Sequence, residues 1–186
     1  MSNTTMIILI AVALAFTIGI WMFARSQRTR RLRDKFGPEY DRMVDETGGK
    51  TGKAEAILDE RQKRVSKLNI QPLGPEVRNR FAAEWREVQA RFVDEPKMSV
   101  WQADALVHRA LKERGYPMAD FDEQAAYISV EYPDVVQNYR IAHDIALRDQ
   151  QGRATTEELR RAMQHYRNLF ENVLESQITQ FEEVHR

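Results

Sequence analysis

Residues 6–24, MIILIAVALAFTIGIWMFA, carry no charged side chain, and the eleven that follow carry Arg25, Arg28, Arg30, Arg31, Arg33 and Lys35 against a single acid, Asp34. A helix that is apolar on every face cannot be hidden by one neighbouring helix, so this stretch constrains the chain more than any other. At 1.5 Å per residue the run spans about 28 Å, close to the thickness of a hydrocarbon core. MSNTT ahead of it has no basic side chain and WMFARS offers no small-x-small cleavage site, which disfavours a removed signal peptide.

The expectation is therefore a transmembrane anchor over 1–24 and a basic juxtamembrane collar over 25–35. Basic residues on the C-terminal flank predict a single-pass protein of the bacterial cytoplasmic membrane, N-terminus outside and body in the cytoplasm. Trp21 then lies at headgroup level, and Arg25, Arg28, Arg30, Arg31 and Arg33 face a lipid bilayer with anionic headgroups. Ala11, Ala15 and Gly19 recur every four residues, a small-xxx-small ridge that would let two copies meet as a homodimer. Ser26 and Thr29 in the collar read as polar spacers, with phosphorylation the sharper alternative.

Beyond the collar the pattern is helical, and the fold class expected is all-α: one transmembrane helix, a linker helix region and a bundle of about five helices. A charged helical linker is expected over 36–71. It begins with Pro38 at the first turn of PEYDRMVDE and resumes, after TGGKTGK, with a narrow stripe of Ala54, Ile57, Leu58, Val65 and Leu68. QPLGP at 71–75 breaks the chain, and a bundle domain is expected over 72–186. Phe81, Trp85, Val88 and Phe92 mark the first buried face. Ser99 is the expected cap of the second helix and Pro133 the expected start of the fourth. Thr155 with Glu158 forms a capping box for the last. Trp85, Trp101 and Tyr139 are expected as core or groove aromatics, with the core preferred.

Composition excludes several chemistries. With no cysteine there is no disulfide scaffold, thiolate metal site or cysteine nucleophile. The 28 basic and 28 acidic residues balance overall, but residues 36–186 carry 22 against 27, so the body is mildly acidic and no nucleic-acid partner is expected. GGKTGK falls short of a phosphate-binding loop: three residues separate Gly48 from Gly52 where four are needed, and Ala54 follows the lysine where a hydroxyl residue belongs. His143 and Asp144 match the dyad of metal phosphohydrolases, with His108 as an upstream ligand, yet no Asp follows Asp149 to complete the cluster. His165 and His185 have no partner pattern. No catalytic, cofactor-binding or metal-ligating set is assigned.

The ordered phrases RLRDKFGPEYDRMV, KAEAILDERQKRV, FAAEWREVQARFVDEP, RGYPMADFDEQAAYISVEYPDVVQNYRIAH and TEELRRAMQHYRNLF cover most of residues 31–174. They resemble a family of uncharacterised bacterial proteins, often labelled "secreted", with an N-terminal hydrophobic segment and a helical body. The resemblance implies a bacterial origin and transfers no activity, cofactor or site residue. The functional expectation is a membrane-anchored, non-enzymatic scaffold or protein-docking module with an unidentified protein partner. The alternatives are a tethered phosphohydrolase using His143 and Asp144, and an exported helical binding domain.

Overall fold

The computed structural model describes residues 3–175, with side chains described from Val12 onward. The described residues are all-helical: α1 (Asn3–Phe36), α2 (Pro38–Glu46), α3 (Thr51–Val65), α4 (Pro75–Arg91), α5 (Pro96–Glu113), α6 (Phe121–Glu131), α7 (Val136–Gln150) and α8 (Thr156–Glu175). They form two compact units, Met1–Asp59 and Glu60–Arg186, with the division inside α3.

Among the described residues no helix is long and apolar enough to cross a membrane. This corrects the expectation of a single-pass anchor, of a cytoplasmic-membrane location and of an N-outside orientation. Among the residues whose side chains are described, the uncharged stretch covers Val12 to Ala24, and Arg25 and Arg28 follow within the same helix. Met6–Ala11 of the apolar stretch lie outside the described side chains. Helix α1 continues unbroken through the basic segment, whose arginines are partly taken up by protein groups. Arg28 pairs with Asp59, Arg33 lies 3.3 Å from Asp41 and 5.2 Å over the Tyr40 ring, and Arg25 lies 5.4 Å over the Trp21 ring.

The first unit is built on the last turns of α1. Leu32 and Phe36, four residues apart, lie on one face and are buried with Tyr40 and Met43 of α2 and Ala54 and Leu58 of α3. Gly37, at φ 45°, makes the turn that lets Pro38 open α2. Two carboxylates are buried here, and each is hydrogen-bonded, as burial of charge demands. Glu39 accepts twice from Arg42, at 2.8 and 2.7 Å. Glu55 accepts from Thr29 at 2.6 Å and from the Tyr40 hydroxyl at 3.2 Å, tying α1, α2 and α3 together. Thr29 is thus a hydrogen-bonding member of the unit.

The second unit is a helical bundle organised around α8, which packs most extensively on α7 and α5. Leu159, Ala162, Met163, Tyr166, Leu169, Phe170 and Val173 form a single buried stripe at helical spacing. Trp85 of α4 stacks on Phe170 with ring centroids 4.6 Å apart, and Phe81 meets the same ring edge-on at 6.5 Å. Trp85 and Tyr139 are buried, whereas Trp101 is 49% exposed, which corrects its assignment to the core. Helix α5 begins at Pro96, not at Ser99, because proline already fits the first turn; Ser99 is fully buried within the helix. Residues 133–135 form a turn and α7 starts at Val136, three residues later than Pro133 suggests. The capping box forms as expected: the Glu158 carboxylate accepts from the Thr155 amide at 2.8 Å, and the Glu158 amide donates to the Thr155 hydroxyl at 3.2 Å.

Gly115 closes α5 at φ +100°, and a Cβ there would meet the Asn69 carbonyl oxygen at 2.4 Å. The residue must be glycine both for its conformation and for this close backbone approach. Next to it, the buried Arg114 guanidinium donates to the Tyr132 hydroxyl, to the Gln71 carbonyl at 3.3 Å and to Glu131 at 3.3 Å, cross-linking α5, α6 and the segment before α4.

Candidate functional site

Histidines, an aspartate and tyrosines from three helices, α5, α7 and α8, meet in one polar seam of the bundle. Asp104 and His108 are four apart on α5, as are Tyr139 and His143 on α7, so each pair shares a helix face. The His108 Nδ1 lies 3.0 Å from the Asp104 main-chain oxygen, which can only accept; Nδ1 therefore carries the hydrogen in the neutral ring. Nε2 is left to accept from the Tyr139 hydroxyl at 3.1 Å. The Phe121 ring lies flat on the His143 imidazole, 3.7 Å away and 6° from parallel. At the far side of α7, the His165 Nδ1 is 2.9 Å from the Asn138 side-chain oxygen.

The electrostatics of the seam follow from its burial. Burial, reinforced by the charge on Asp104, pushes the Tyr139 and Tyr166 hydroxyls far above the ordinary phenol range, so both stay protonated. Burial holds the His143 pKa below its ordinary value, against the opposing pull of Asp104. His165 is lowered by burial first and by the charge on Arg161 second. What the arrangement does chemically is satisfy polar groups inside an apolar bundle: His108 links α5 to α7 and His165 links α8 to α7.

The His143–Asp144 dyad is divided by the helix. Adjacent residues are about 100° apart around α7, and while His143 faces Phe121, the exposed Asp144 accepts from Arg148 Nε at 3.1 Å. His108 spends its ring nitrogens on Tyr139 and Asp104. Among the described residues no group of three or more His, Cys, Asp or Glu side chains is placed to hold a metal ion. His185 lies outside the described residues. In GGKTGK, Gly48, Gly49 and Lys50 lie between α2 and α3, both glycines at positive φ, and Thr51–Lys53 open α3.

The seam is thus internal, and the feature that faces outward is the stem of α1. Val12, Leu14, Phe16, Ile18, Ile20, Trp21, Met22 and Phe23 are all more than half exposed, Phe16 by 72%. The Thr17 hydroxyl donates to the Leu14 carbonyl at 2.8 Å, so it too is satisfied within the helix and leaves the surface apolar. Ala15 and Gly19 are one turn apart; a Cβ built on Gly19 meets nothing within 4 Å, so nothing in the chain's own packing requires glycine there. Ala11, the third member of the ridge, lies outside the described side chains. The ring of aromatic and aliphatic side chains around this stem exceeds the scattered apolar exposure normal for a monomer.

The signal for the His108–Tyr139 link was present in the i, i+4 spacings of two separate helices, but the pairing of those faces is tertiary and has no local signature. Comparison with known proteins adds no relative: no protein-family model, no curated protein and no solved structure matches the chain.

Proposed function

We propose that the protein is a non-enzymatic helical scaffold whose copies join through the α1 stem. The observation that carries this reading is the exposed apolar surface from Val12 to Phe23 with Ala15 and Gly19 on one face. Further copies of the same helix are the occupants that fit best, since one neighbour covers only one face. Each is uncharged over the same length, and a glycine with open space beside it lets two backbones approach closely. Burying such side chains is worth about 1.5–3 kcal/mol each when complete, so contact along three helical turns is ample to hold two copies together. Joining copies places several bundles side by side, which raises the effective concentration of any surface that they share. Met98 and Trp101, exposed and three residues apart on α5, offer such a surface to a protein partner with an apolar helix face.

The absence of cysteine makes a clean test available. With Gly19→Cys as the sole cysteine, mild oxidation is expected to give a covalent dimer of the full chain, whereas Arg167→Cys on the exposed face of α8 is expected to stay monomeric. Equal cross-linking of the two variants, or none in either, would refute the assignment of the stem as the contact.

A further inference from the structure

Helix α6 is held at its two ends by different chemistry. At its C-terminal end the buried Arg114 guanidinium donates to Glu131 at 3.3 Å and to the Tyr132 hydroxyl, and the Tyr116 hydroxyl donates to Glu131 at 2.6 Å. Ile128 and Val130, in the same half, are buried. In the N-terminal half the buried residues are Gln124, Ala125 and Ala126, which carry little apolar surface. That half is held by Phe121, the first residue of the helix, whose ring lies flat on the His143 imidazole of α7 at 3.7 Å. The Arg64–Glu123 pair nearby, at 3.5 Å, is exposed on both sides and adds little.

His143 is half-buried, and among the described residues neither of its ring nitrogens has a hydrogen-bond partner. A proton would make both nitrogens donors, while the Phe121 ring shields one face of the imidazole from the water that hydrates a charge. Three carboxylates face the ring, and each is engaged or screened. Asp104 of α5 has its Oδ2 3.5 Å from the His108 Nδ1, and Asp144 of α7 accepts from Arg148 at 3.1 Å. Asp122 of α6 is exposed, where solvent and salt weaken its pull. His108 of α5 opposes a charge on His143 whenever it carries one itself. Burial outweighs the three carboxylates and holds His143 below its ordinary value of 6.5.

We propose that the Phe121–His143 stack is a proton-operated latch: uptake of one proton by the His143 ring releases the N-terminal half of α6 from α7, while the Arg114–Glu131–Tyr116 cluster keeps the C-terminal end in place. Release uncovers the Phe121 ring and the face of α7 that carries His143. The neutral ring is favoured in the docked form, so docking is complete above about pH 6.5 and weakens as pH falls below it. The α1 stem contributes nothing to the latch, so it stands or falls independently of self-association.

Native-state hydrogen exchange of the full chain, corrected for the intrinsic pH dependence of amide exchange, reads the release helix by helix. A short helix stripped of its packing is marginal in water, so the freed turns fray and exchange. Between pH 7.5 and 5.5 the amides of Ala125 to Ile128 are expected to lose protection by up to about tenfold, the most that one proton taken up at about 6.5 allows over that interval. Those of α7 and α8 are expected to hold. His143→Phe keeps a flat ring that takes no proton and is expected to abolish the response; His165→Gln, at the α8 side of α7, is expected to leave it intact. Should a variant fail to fold, NMR titration of the wild type still decides, with the His143 ring expected to titrate below 6.5. Protection of α6 that is flat with pH, loss shared equally by α7 and α8, the same response in His143→Phe, its loss in His165→Gln, or a His143 ring titrating at or above 6.5 would overturn the latch.

Discussion

The α1 stem and α8 are both rich in apolar residues, yet one buries them and the other displays them. Helix α8 gathers Leu159, Met163, Tyr166, Phe170 and Val173 into one stripe and turns its glutamates and arginines outward. The stem has apolar residues all round, with Phe16, Ile18, Ile20, Trp21 and Phe23 exposed on successive faces. Arrangement, more than amount, decides which helix a chain can bury by itself. A one-sided helix is completed by two neighbours, here α5 and α7; an all-round helix needs a partner that the described residues do not supply.

The sharpest way to break this contrast is to truncate one aromatic on each helix. Phe170→Ala removes the ring that stacks on Trp85 and meets Phe81, and is expected to cost about 3–5 kcal/mol in urea denaturation. Phe16→Ala is expected to change folding stability by less than about 0.5 kcal/mol while weakening assembly. Equal effects of the two on stability would mean that the stem packs on its own chain. Next in size, Gly115→Ala forces a Cβ against the Asn69 carbonyl at positive φ and is expected to lower stability by about 2–4 kcal/mol, read as a lower denaturation midpoint. The same change at Gly19, where the space is open, should leave the midpoint in place.

A smaller effect separates a polar link from an apolar one. Tyr139→Phe keeps the ring and leaves the His108 Nε2 without its donor, at an expected cost of about 1–2 kcal/mol. An undiminished denaturation midpoint would show that water replaces the hydroxyl. The smallest expected effect is at the start of α8. The Thr155 amide, then Arg148, then the Thr155 hydroxyl hold the Glu158 carboxyl down to about 2, from an ordinary 4.5. A depressed folded-state pKa contributes stability that is fully present above the unfolded value and lost as pH falls through the folded one. The difference in melting temperature between the wild type and Glu158→Gln is therefore expected to be constant above about pH 5 and to close between about pH 4.5 and 2. A gap that persists at the acid end would assign the effect to shape, with charge playing no part.

Much of the bundle was legible locally. The recurrence of Phe81, Trp85 and Val88 at spacings of four and three, the capping box at Thr155, and Pro38 at a first turn all rest on contacts within one helix, and each appears where its chemistry requires. What depends on two helices was not legible. Nothing within one helix marks Glu39 and Glu55 for burial, yet packing in the first unit buries them beside Arg42, Thr29 and Tyr40. His143 and Asp144 read as a unit because they are adjacent in sequence, while the helix sends them to different surroundings. The hydropathy of the stem was plain from the start. Its expected membrane role is not supported, since no helix among the described residues is long and apolar enough to cross a membrane.

Sedimentation equilibrium of the full chain beside Gly19→Leu tests the central claim most directly. A stem that joins copies predicts reversible assembly whose apparent mass rises with concentration, and a shift toward monomer when a bulky leucine keeps the Ala15–Gly19 faces apart. A full chain that stays monomeric throughout, or a Gly19→Leu variant that assembles as strongly as the wild type, would contradict it.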